Sequence, residues 1–301
     1  MIESILVADR GPGAIRVVAT CRRLGIKSVV LALSGDPTDR RDRAGADDVV
    51  LLHDHAETAD PAAVVRAASA AGVGAVHPGT GPLAGSSAFA DGCVAAGLVP
   101  VTTVGLPAPP AVWAELGRAG VPIASDATAE ILVVALAGPS GIAVFGEIGL
   151  GTTRAVVPPP TAGAEARAAT ARTVLGLFAA RGLVTVGFAG AAVCAVLPTW
   201  PPQHAALELV TGIDLVEAQL QVASGEPMAL NEPSRHGAAV TTMTAVDLAP
   251  EDSTVAAPGV RVDVEDGDSG QLRARVTAWN DDPQLAADAL AAYLGRAGPD
   301  D

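Results

Sequence analysis

Short apolar runs alternate with segments of helical periodicity over residues 1–105. The apolar runs are bounded by turn residues and predict strands at residues 4–8, 28–33, 47–52, 74–77 and 98–101. The segments between them space apolar residues three or four positions apart and predict helices at residues 14–24, 61–71 and 86–96. Strands that alternate with helices pair in parallel through right-handed crossovers. The pattern predicts a parallel, Rossmann-like domain, whose ligands would bind at the carboxyl ends of strands, near residues 9–13 and 77–81.

The remainder of the chain combines hairpin and helix patterns. Alternating apolar positions on either side of a GPSG turn predict an antiparallel hairpin over residues 130–148. Further strands are predicted at residues 184–188, 192–197, 238–246 and 272–279. Further helices are predicted at residues 107–120, 164–181, 207–224 and 283–296. Residues 247–271 are acidic and rich in glycine, which indicates an exposed loop.

The composition favours a soluble protein. Hydrophobic residues make up 50% of the chain and the mean hydropathy is +0.39, yet no apolar run reaches the roughly 18 to 20 residues that span a bilayer. The N-terminal sequence MIESILVADRG has no basic region before an apolar core, so it does not resemble a signal peptide. We therefore expect a soluble, cytoplasmic protein that does not bind membranes.

Charge and cysteine content exclude further classes. The formal net charge of −14 repels phosphate backbones, so we expect no nucleic-acid partner. Cys21, Cys93 and Cys194 are far apart and form no CxxC pair, which argues against a disulfide framework and against a metal site. Lys27 is the only lysine, so any chemistry that requires an ammonium group would have to use it.

Stretches spread over nearly the whole chain resemble, in the same order, segments of the biotin carboxylase family. The opening ILVADRGPGAIRVVATCRRLGIKSVV is similar to the family's first strand, glycine turn and helix, and HPGTGPLAGSSAFADGC is similar to its HPGYGxxSENxxFA segment. AELGRAGVPI resembles the helix before the lid, and EILVVALAGPSGIAVFGEIGLGTTRAVVPPPT resembles the hairpin that carries RRHQK. The most specific match is QHAALELVTGIDLVEAQLQVASGEPMAL, which resembles EHPVTExxTGVDLVxxQxxxAxGxxL.

The resemblance implies an α/β fold in three parts. These are an N-terminal (pre-ATP-grasp) domain at residues 1–105, an ATP-grasp-like α+β core at 106–232 and a C-terminal-like domain with a small sheet at 233–301. Active family members use ATP, Mg²⁺ and biotin, and close a mobile lid with a glycine-rich loop over the nucleotide. Here only about ten residues, GVPIASDATA, stand where the lid would be. The resemblance therefore implies a core without a lid.

The charges of the family's ATP-grasp site are also missing. No Asp or Glu occurs between Glu165 and Glu208. The resemblance places the metal-binding Glu of the family at Ala195, the metal-binding Asn at Leu197 and an earlier metal-binding Glu near Gly190. The positions of its catalytic arginine, its bicarbonate-contacting Gln and Glu, and an arginine that stabilises the biotin enolate carry uncharged residues: Thr199, Pro201, Gln203 and Met243. We expect no catalytic residues and no bound cofactor.

Several residues stay candidates for binding a ligand: Asp9, Gly11, Gly13, His77, Gly79, Gly81, Arg154 and His204. Gly11 and Gly13 form a partial dinucleotide fingerprint without its third glycine, so this turn either binds a phosphate or only joins a strand to a helix. His77 either faces the crevice or holds the HPGTG turn. Arg154 matches the last lysine of RRHQK and His204 matches the EHP histidine; each is either a remnant of the site or a structural residue.

These departures predict a biotin carboxylase-like pseudoenzyme of the ligase family. It would serve as a structural or regulatory subunit of a biotin-dependent acyl-CoA carboxylase system, as a homodimer or bound to acyl-CoA carboxylase subunits. The assembly prediction rests on the missing lid, which would uncover an apolar patch of Val193, Val196, Leu197 and Trp200. This segment either packs into the core of the protein or is covered by another chain. Two alternatives are an ATP-dependent biotin carboxylase-type ligase completed by a partner chain, and a small-ligand binding module that uses the N-terminal crevice.

Overall fold

A computed structural model of the protein describes residues 2–33, 45–227, 236–245, 255–257, 259–266 and 272–296. Its N-terminal part is a parallel five-stranded sheet in the order β3-β2-β1-β4-β5. The strands are β1 (Ser4–Val7), β2 (Lys27–Leu33), β3 (Asp48–Leu52), β4 (Ala75–His77) and β5 (Val99–Pro100). The helices are α1 (Pro12–Leu24), α2 (His55–Ala59), α3 (Pro61–Ala71) and α4 (Ser87–Ala95). The predicted parallel domain is confirmed, with the short α2 as an addition.

Local sequence sets the helix boundaries in this part of the chain. Pro12 lies in the first turn of α1, where its missing N–H costs no hydrogen bond. Gly25 ends the same helix in the left-handed conformation, with φ at 71°. Asp60 caps α3 by accepting hydrogen bonds from two backbone N–H groups of the first turn, and Gly72 ends that helix with φ at 66°. The helix ends therefore follow from capping residues that can be read in the sequence.

The other strands form one nine-stranded antiparallel sheet in the order β10-β9-β6-β7-β8-β11-β14-β13-β12. They are β6 (Ile131–Gly138), β7 (Gly141–Leu150), β8 (Arg154–Val157), β9 (Gly182–Ala189), β10 (Ala192–Leu197), β11 (Ala238–Ala245), β12 (Val255–Ala257), β13 (Val260–Asp266) and β14 (Leu272–Asn280). The helices are α5 (Pro109–Arg118), α6 (Ala164–Leu177), α7 (His204–Thr211), α8 (Leu215–Ala223) and α9 (Pro283–Arg296). Because β11 pairs with β8, the C-terminal strands extend the core sheet.

Strand β6 divides the core of this sheet into two layers. Leu132 and Val134 face the layer that contains α7, α8 and the N-terminal sheet. Val133 and Ala135 face the opposite layer, which contains α5 and α6. Successive side chains of a strand point to opposite faces, so a strand covered on both sides is apolar throughout.

A buried ion pair fastens α6 to this sheet. Arg167 donates from Nε to Oε1 of Glu147 at 3.0 Å and from Nη2 to Oε2 at 2.7 Å. The Arg167 side chain is 8% exposed and that of Glu147 is 2% exposed. Arg167 also donates to the carbonyl of Ala162 at 2.9 Å. A two-point contact with further hydrogen bonds is the geometry in which a buried pair offsets the cost of losing water.

Two helices differ from the sequence prediction. Helix α6 ends at Leu177 rather than at residue 181, and Gly182, with φ at 112°, opens β9 instead of closing the helix. The helix predicted over residues 207–224 is two helices. Gly212 ends α7 in the left-handed conformation, with φ at 69°, and Asp214 caps the start of α8. Helical spacing of apolar residues on both sides of this corner concealed the break.

The stretch predicted as an exposed loop contains strands. Residues 255–257 and Val260–Asp266 are β12 and β13, and Val262 and Val264 are buried. The rest of residues 247–271 lies outside the described residues, as does the expected boundary between residues 232 and 233. Across the described ranges, every helix is too short or too polar to cross a membrane.

Candidate functional site

The carboxyl ends of β1 and β4 meet in a crevice centred on the side chain of Asp9. The two strands are neighbours, with Val7 opposite His77, so the turns that follow them lie side by side. Thr80 donates its backbone N–H to Oδ2 of Asp9 at 2.8 Å and its hydroxyl to the same oxygen at 3.2 Å. The N–H of Arg10 donates to Oδ1 at 2.9 Å. Donors from both turns therefore hold this carboxylate.

Glycines provide the space that the Asp9 carboxylate occupies. A Cβ atom added at Gly13 would lie 2.1 Å from Oδ2, and one added at Gly79 would lie 1.9 Å from it. The Cβ position of Gly81 is 3.4 Å from Oδ1. Gly11 is required for its backbone conformation instead. Its φ is 67°, which favours glycine, and nothing lies within 4 Å of its Cβ position. The structure thus brings Asp9 and three of the four candidate glycines together.

This arrangement bears on the two interpretations of the glycine turn. The carboxylate of Asp9 fills the space over Gly13 and Gly79, where a phosphate would have to approach the backbone closely. A second anion at that position would meet a negative charge at short range. The geometry therefore favours a turn that joins β1 to α1 and holds an internal carboxylate over one that binds phosphate.

His77 is turned into the protein and holds its own turn. It is fully buried, and its Nδ1 accepts a hydrogen bond from the N–H of Gly79 at 2.8 Å. Burial lowers the pKa of His77 to about 4, and the side chain of Gln219 opposes this in part. The ring is neutral at pH 7, and because Nδ1 accepts, the proton is on Nε2. Of the two interpretations of His77, the structure favours the structural one.

His204 lies at the start of α7 in a similar setting. Its exposed fraction is 6%, and its Nδ1 is 3.3 Å from the carbonyl oxygen of Pro201. Burial lowers the pKa of His204, although the negative charge of Glu208 acts in the opposite direction. The indole of Trp200 lies between this ring and that of His77, with centroid distances of 6.1 Å and 5.4 Å. The two histidines therefore belong to one buried aromatic cluster.

The apolar patch expected from the missing lid is smaller in the structure than the sequence predicted, because most of its residues are buried. Val193 is 0% exposed and Trp200 is 2% exposed. Val196 is half-buried, and Leu197, at 42%, is the member that solvent reaches most. Most of the segment has packed into the core, because Trp200 contacts both imidazole rings at inclined angles of 61° and 59° and Val193 joins the layer below α5.

A charged cluster that the sequence did not single out lies between α1, α7, α8 and β13. Glu208 accepts hydrogen bonds from Arg16, from Arg261 at 3.1 Å and from the N–H of Leu215 at 2.9 Å. Burial acts to raise the pKa of Glu208, but His204 and the two arginines lower it below its ordinary value. Burial opposes ionisation of Asp214 too, yet Arg16, 2.9 Å away, lowers the pKa of Asp214 to about 2. Glu208 and Asp214 both stand in the ELVTGIDLV stretch, which was the available signal.

The positions expected to lack metal ligands lie on and after β10. Ala195 and Leu197 are two residues apart on this strand, so their side chains share a face. Thr199 accepts a hydrogen bond from the hydroxyl of Thr185 through its carbonyl at 2.6 Å. Gln203 precedes α7 and makes no side-chain capping hydrogen bond. None of these side chains is a carboxylate or a cation.

Two further candidates lie in the nine-stranded sheet. Arg154 begins β8, is exposed, and stands opposite Thr242 of β11. Met243 follows Thr242 and stands opposite Arg275 of β14. Arg154 lies in the nine-stranded sheet, whereas Asp9 follows β1 of the five-stranded sheet.

The segment from α5 to β6 is a short link. Residues 119–130 contain no helix or strand of their own. The N–H of Ala124 donates to the carbonyl of Val193, and the N–H of Val193 donates to the carbonyl of Pro122, both at 2.9 Å. Ile123 thereby forms an isolated parallel bridge with Val193 at the edge of β10. The link runs directly along the sheet edge, with no domain inserted between α5 and β6.

Beside this edge is a cleft of about 620 Å³, which we call the β10 cleft. One side is β10 with Ala195 and the more exposed Leu197, another is the start of α4 near Ser86, and a third is α5 with Trp113. Among the described residues that line it, none carries a charge. Mg²⁺ takes oxygen ligands and is usually bound through one or two carboxylates together with the phosphates of the substrate. The residues present therefore do not fit a magnesium-nucleotide complex, and no step of catalysis can be derived for one.

Comparison with known proteins shows what parts of this chain are similar to. Residues 1–104 match the family model described as biotin carboxylase, N-terminal domain. The α subunit of rice mitochondrial methylcrotonoyl-CoA carboxylase is 38% identical over 133 residues, which cover 40% of this chain and 18% of that protein. The biotin carboxylase of Halalkalibacterium halodurans is 33% identical over 106 residues, or 33% of this chain and 22% of that protein. The matches thus span about a fifth of these relatives.

Solved structures extend the likeness in fold to nearly the whole chain. The biotin carboxylase domain of Hydrogenobacter thermophilus 2-oxoglutarate carboxylase superposes with a TM-score of 0.83 at 17% identity, covering 97% of this chain and 89% of that one. Rhizobium etli pyruvate carboxylase superposes with a TM-score of 0.81 at 22% identity, covering 98% of this chain and 33% of that one. At these identities the superpositions show a shared fold.

Proposed function

We propose that this protein is a non-catalytic component of a biotin-dependent carboxylase system. The premises are that residues 1–104 match the biotin carboxylase N-terminal domain and that nearly the whole chain has the biotin carboxylase fold. In this proposal the chain keeps the scaffold of the family and has lost its chemistry. Its parts are the N-terminal domain at residues 1–105, a core at 106–232 and a C-terminal part at 233–301, working in the cytoplasm.

The observation that carries the proposal is the uncharged lining of the β10 cleft. The resemblance places metal-binding side chains of active members at Ala195 and Leu197, which can neither ligate a cation nor contact a phosphate. Phosphoryl transfer depends on positioning the phosphates and neutralising their charge. With an alanine and a leucine at these positions, and with residues 119–130 as a direct link, the described residues that line the cleft supply no charged group that would lower the barrier.

The N-terminal crevice gives less support to a ligand-binding module. Asp9 occupies it with a carboxylate that is already hydrogen-bonded to Thr80 and Arg10. His77 points into the core rather than into the crevice. We therefore favour the role of a structural or regulatory subunit, which acts through contacts with other chains.

A turnover assay tests the loss of catalysis. Purified protein should hydrolyse ATP no faster with biotin, bicarbonate and Mg²⁺ than without them, with an active biotin carboxylase as the positive control. A turnover that is abolished by substituting a residue in 190–204, such as Gln203→Ala, would refute the proposal. Turnover that appears only after carboxylase subunits are added would instead support a ligase completed by a partner chain.

A further inference from the structure

The β10 cleft has the size of a small-molecule site. Its volume of about 620 Å³ lies within the roughly 300 to 1,000 Å³ of typical ligand pockets. It is bounded by three separate elements, since α4, α5 and β10 each supply a side. Such pockets are lined mainly by apolar side chains and hold a few polar groups that fix orientation.

The lining selects for ligands without charge. The chain carries a formal charge of −14, yet the described residues around the cleft are alanine, proline, leucine, valine, tryptophan, cysteine, glycine and serine. A charged ligand would lose water there without meeting an opposite charge, which is costly. An uncharged apolar molecule would gain from removing the surfaces of Leu106, Trp113 and Val196 from water.

The polar groups of the cleft are few and neutral. The hydroxyl oxygen of Ser86 accepts a hydrogen bond from the N–H of Phe89 at 3.2 Å, so its hydrogen is left to donate. Ser87 is exposed at the same rim. Cys194 is 7% exposed and lines the opposite side. This inventory suits a ligand with one hydrogen-bonding group at one end.

The shape argues for a small molecule over a protein partner. Leu197, at 42%, is the single large apolar residue of the cleft that is more than about a third exposed among the described residues. A stable protein interface buries roughly 800 Å² on each partner. One protruding leucine above a recess does not provide such a face, whereas the recess itself can enclose a small ligand.

We propose that the β10 cleft binds a small, uncharged and mainly apolar molecule with a single hydrogen-bonding group. The proposal rests on the lining of the cleft and is independent of whether the chain assembles with a carboxylase. Loss of catalysis and gain of this ligand site would have the same origin, because Ala195 and Leu197 both line the cleft.

A matched pair of fluorescent probes tests the predicted selectivity. N-phenyl-1-naphthylamine is neutral, apolar and has one N–H, and 8-anilinonaphthalene-1-sulfonate is the same skeleton with a negative charge. Titration of the intact protein should show saturable binding of the neutral probe at one site, with the anionic probe weaker by about tenfold or more. Excitation of tryptophan should transfer energy to the bound probe, and Trp113→Phe should reduce this transfer more than Trp279→Phe does.

Variants at the rim locate the site without disturbing the core. Leu197→Glu should weaken the neutral probe by about tenfold or more, because it brings a carboxylate into the apolar mouth. Leu285→Glu is the matched control, since Leu285 is also exposed, at 53%, and lies on α9. Ala88→Trp, at an exposed residue of the lining, should block the cleft while the far-ultraviolet spectrum stays unchanged.

Two results would overturn the proposal. One is equal binding of the neutral probe by the wild type, Leu197→Glu and Ala88→Trp, which would place the probe elsewhere. The other is no saturable binding of the neutral probe by the folded wild-type protein. Neither result depends on ATP turnover, so failure here can be distinguished from failure of the proposed loss of catalysis.

Discussion

The guanidinium of Arg16 in α1 forms a two-point ion pair with the carboxylate of Glu208 in α7. The distances are 3.1 Å from Nε to Oε2 and 2.7 Å from Nη2 to Oε1, between residues that are 192 positions apart. Their side chains are 12% and 7% exposed. The pair connects the parallel sheet to the helices that cover the antiparallel sheet, so the two halves of the molecule are joined by charge as well as by apolar packing.

Removing the charge of Glu208 should destabilise the protein. Glu208→Gln takes one of the two carboxylates from Arg16 and from Arg261, which keep Asp214 and Asp263 as partners, so the free energy of unfolding should fall by about 1–3 kcal/mol. Urea denaturation followed by circular dichroism measures this change. Glu165→Gln is the control at an exposed glutamate and should stay within about 0.5 kcal/mol of the wild type. Equal effects of the two substitutions would contradict the role given to the cluster.

The free energy of unfolding should decrease as the pH is lowered, because of the titration of His77. Its pKa is lowered from 6.5 to about 4 in the folded state, so the unfolded chain takes up a proton that the folded protein refuses. Protonation of His77 therefore costs no stability above the unfolded pKa of 6.5. As the pH falls from this value to the folded pKa of about 4, up to about 2–3 kcal/mol of the free energy of unfolding is lost. His77→Gln should flatten the decline of the urea midpoint between about pH 7 and pH 5. An unchanged slope would show that His77 is not buried in its neutral form.

Substitutions at Gly13 and Asp9 should have coupled effects on the free energy of unfolding. Gly13→Ala should cost about 1–3 kcal/mol, because the new methyl group would displace the Asp9 carboxylate from its donors. In an Asp9→Ala background the same change should cost less, with a coupling energy of about 0.5–3 kcal/mol. Gly176→Ala is the control, since no atom lies within 4 Å of its Cβ position in α6, and it should be neutral or stabilising. The same cost in both backgrounds would argue against the contact.

Assembly can be tested by light scattering after size exclusion. The proposed role predicts a homodimer at micromolar concentration or a complex with acyl-CoA carboxylase subunits. The similar rice protein is the α subunit of a carboxylase, which is the basis of this expectation. A monomer of 29.8 kDa that also fails to bind carboxylase subunits would refute it. The packing of Val193 and Trp200 into the core means that an interface would have to use other surfaces.

Much of the fold could be predicted from short sequence patterns. Pro61–Ala71 is a helix with the predicted bounds, because Asp60 caps it and Gly72 ends it within the same short stretch. The hairpin around GPSG and the strand Ala192–Leu197 likewise depend on patterns that span few residues. The motif resemblance supplied the order of the parts, which the fold comparison supports.

Contacts between distant residues were beyond the reach of such signals. Strand β13 was not predicted, because its alternating valines lie in an acidic stretch. Strand β8 was not predicted, because it is only four residues long. The glycines around Asp9 were recognised as special, but their purpose appears only when β1 and β4 lie side by side. The partnership of Arg16 with Glu208 depends on the docking of two sheets, which no local spacing encodes.

The pairing of β8 with β11 has a consequence for synthesis of the chain. Val157 meets Ala239 across this pairing, so β8 has an open edge until residues near 239 have left the ribosome. An open strand edge can pair with another chain and nucleate aggregation. Fragments that end before β11 would keep that edge permanently, whereas translation of the whole sequence closes it with the four C-terminal strands of the sheet. Expression of fragments that end before residue 238 should therefore give more aggregated protein than expression of the whole sequence.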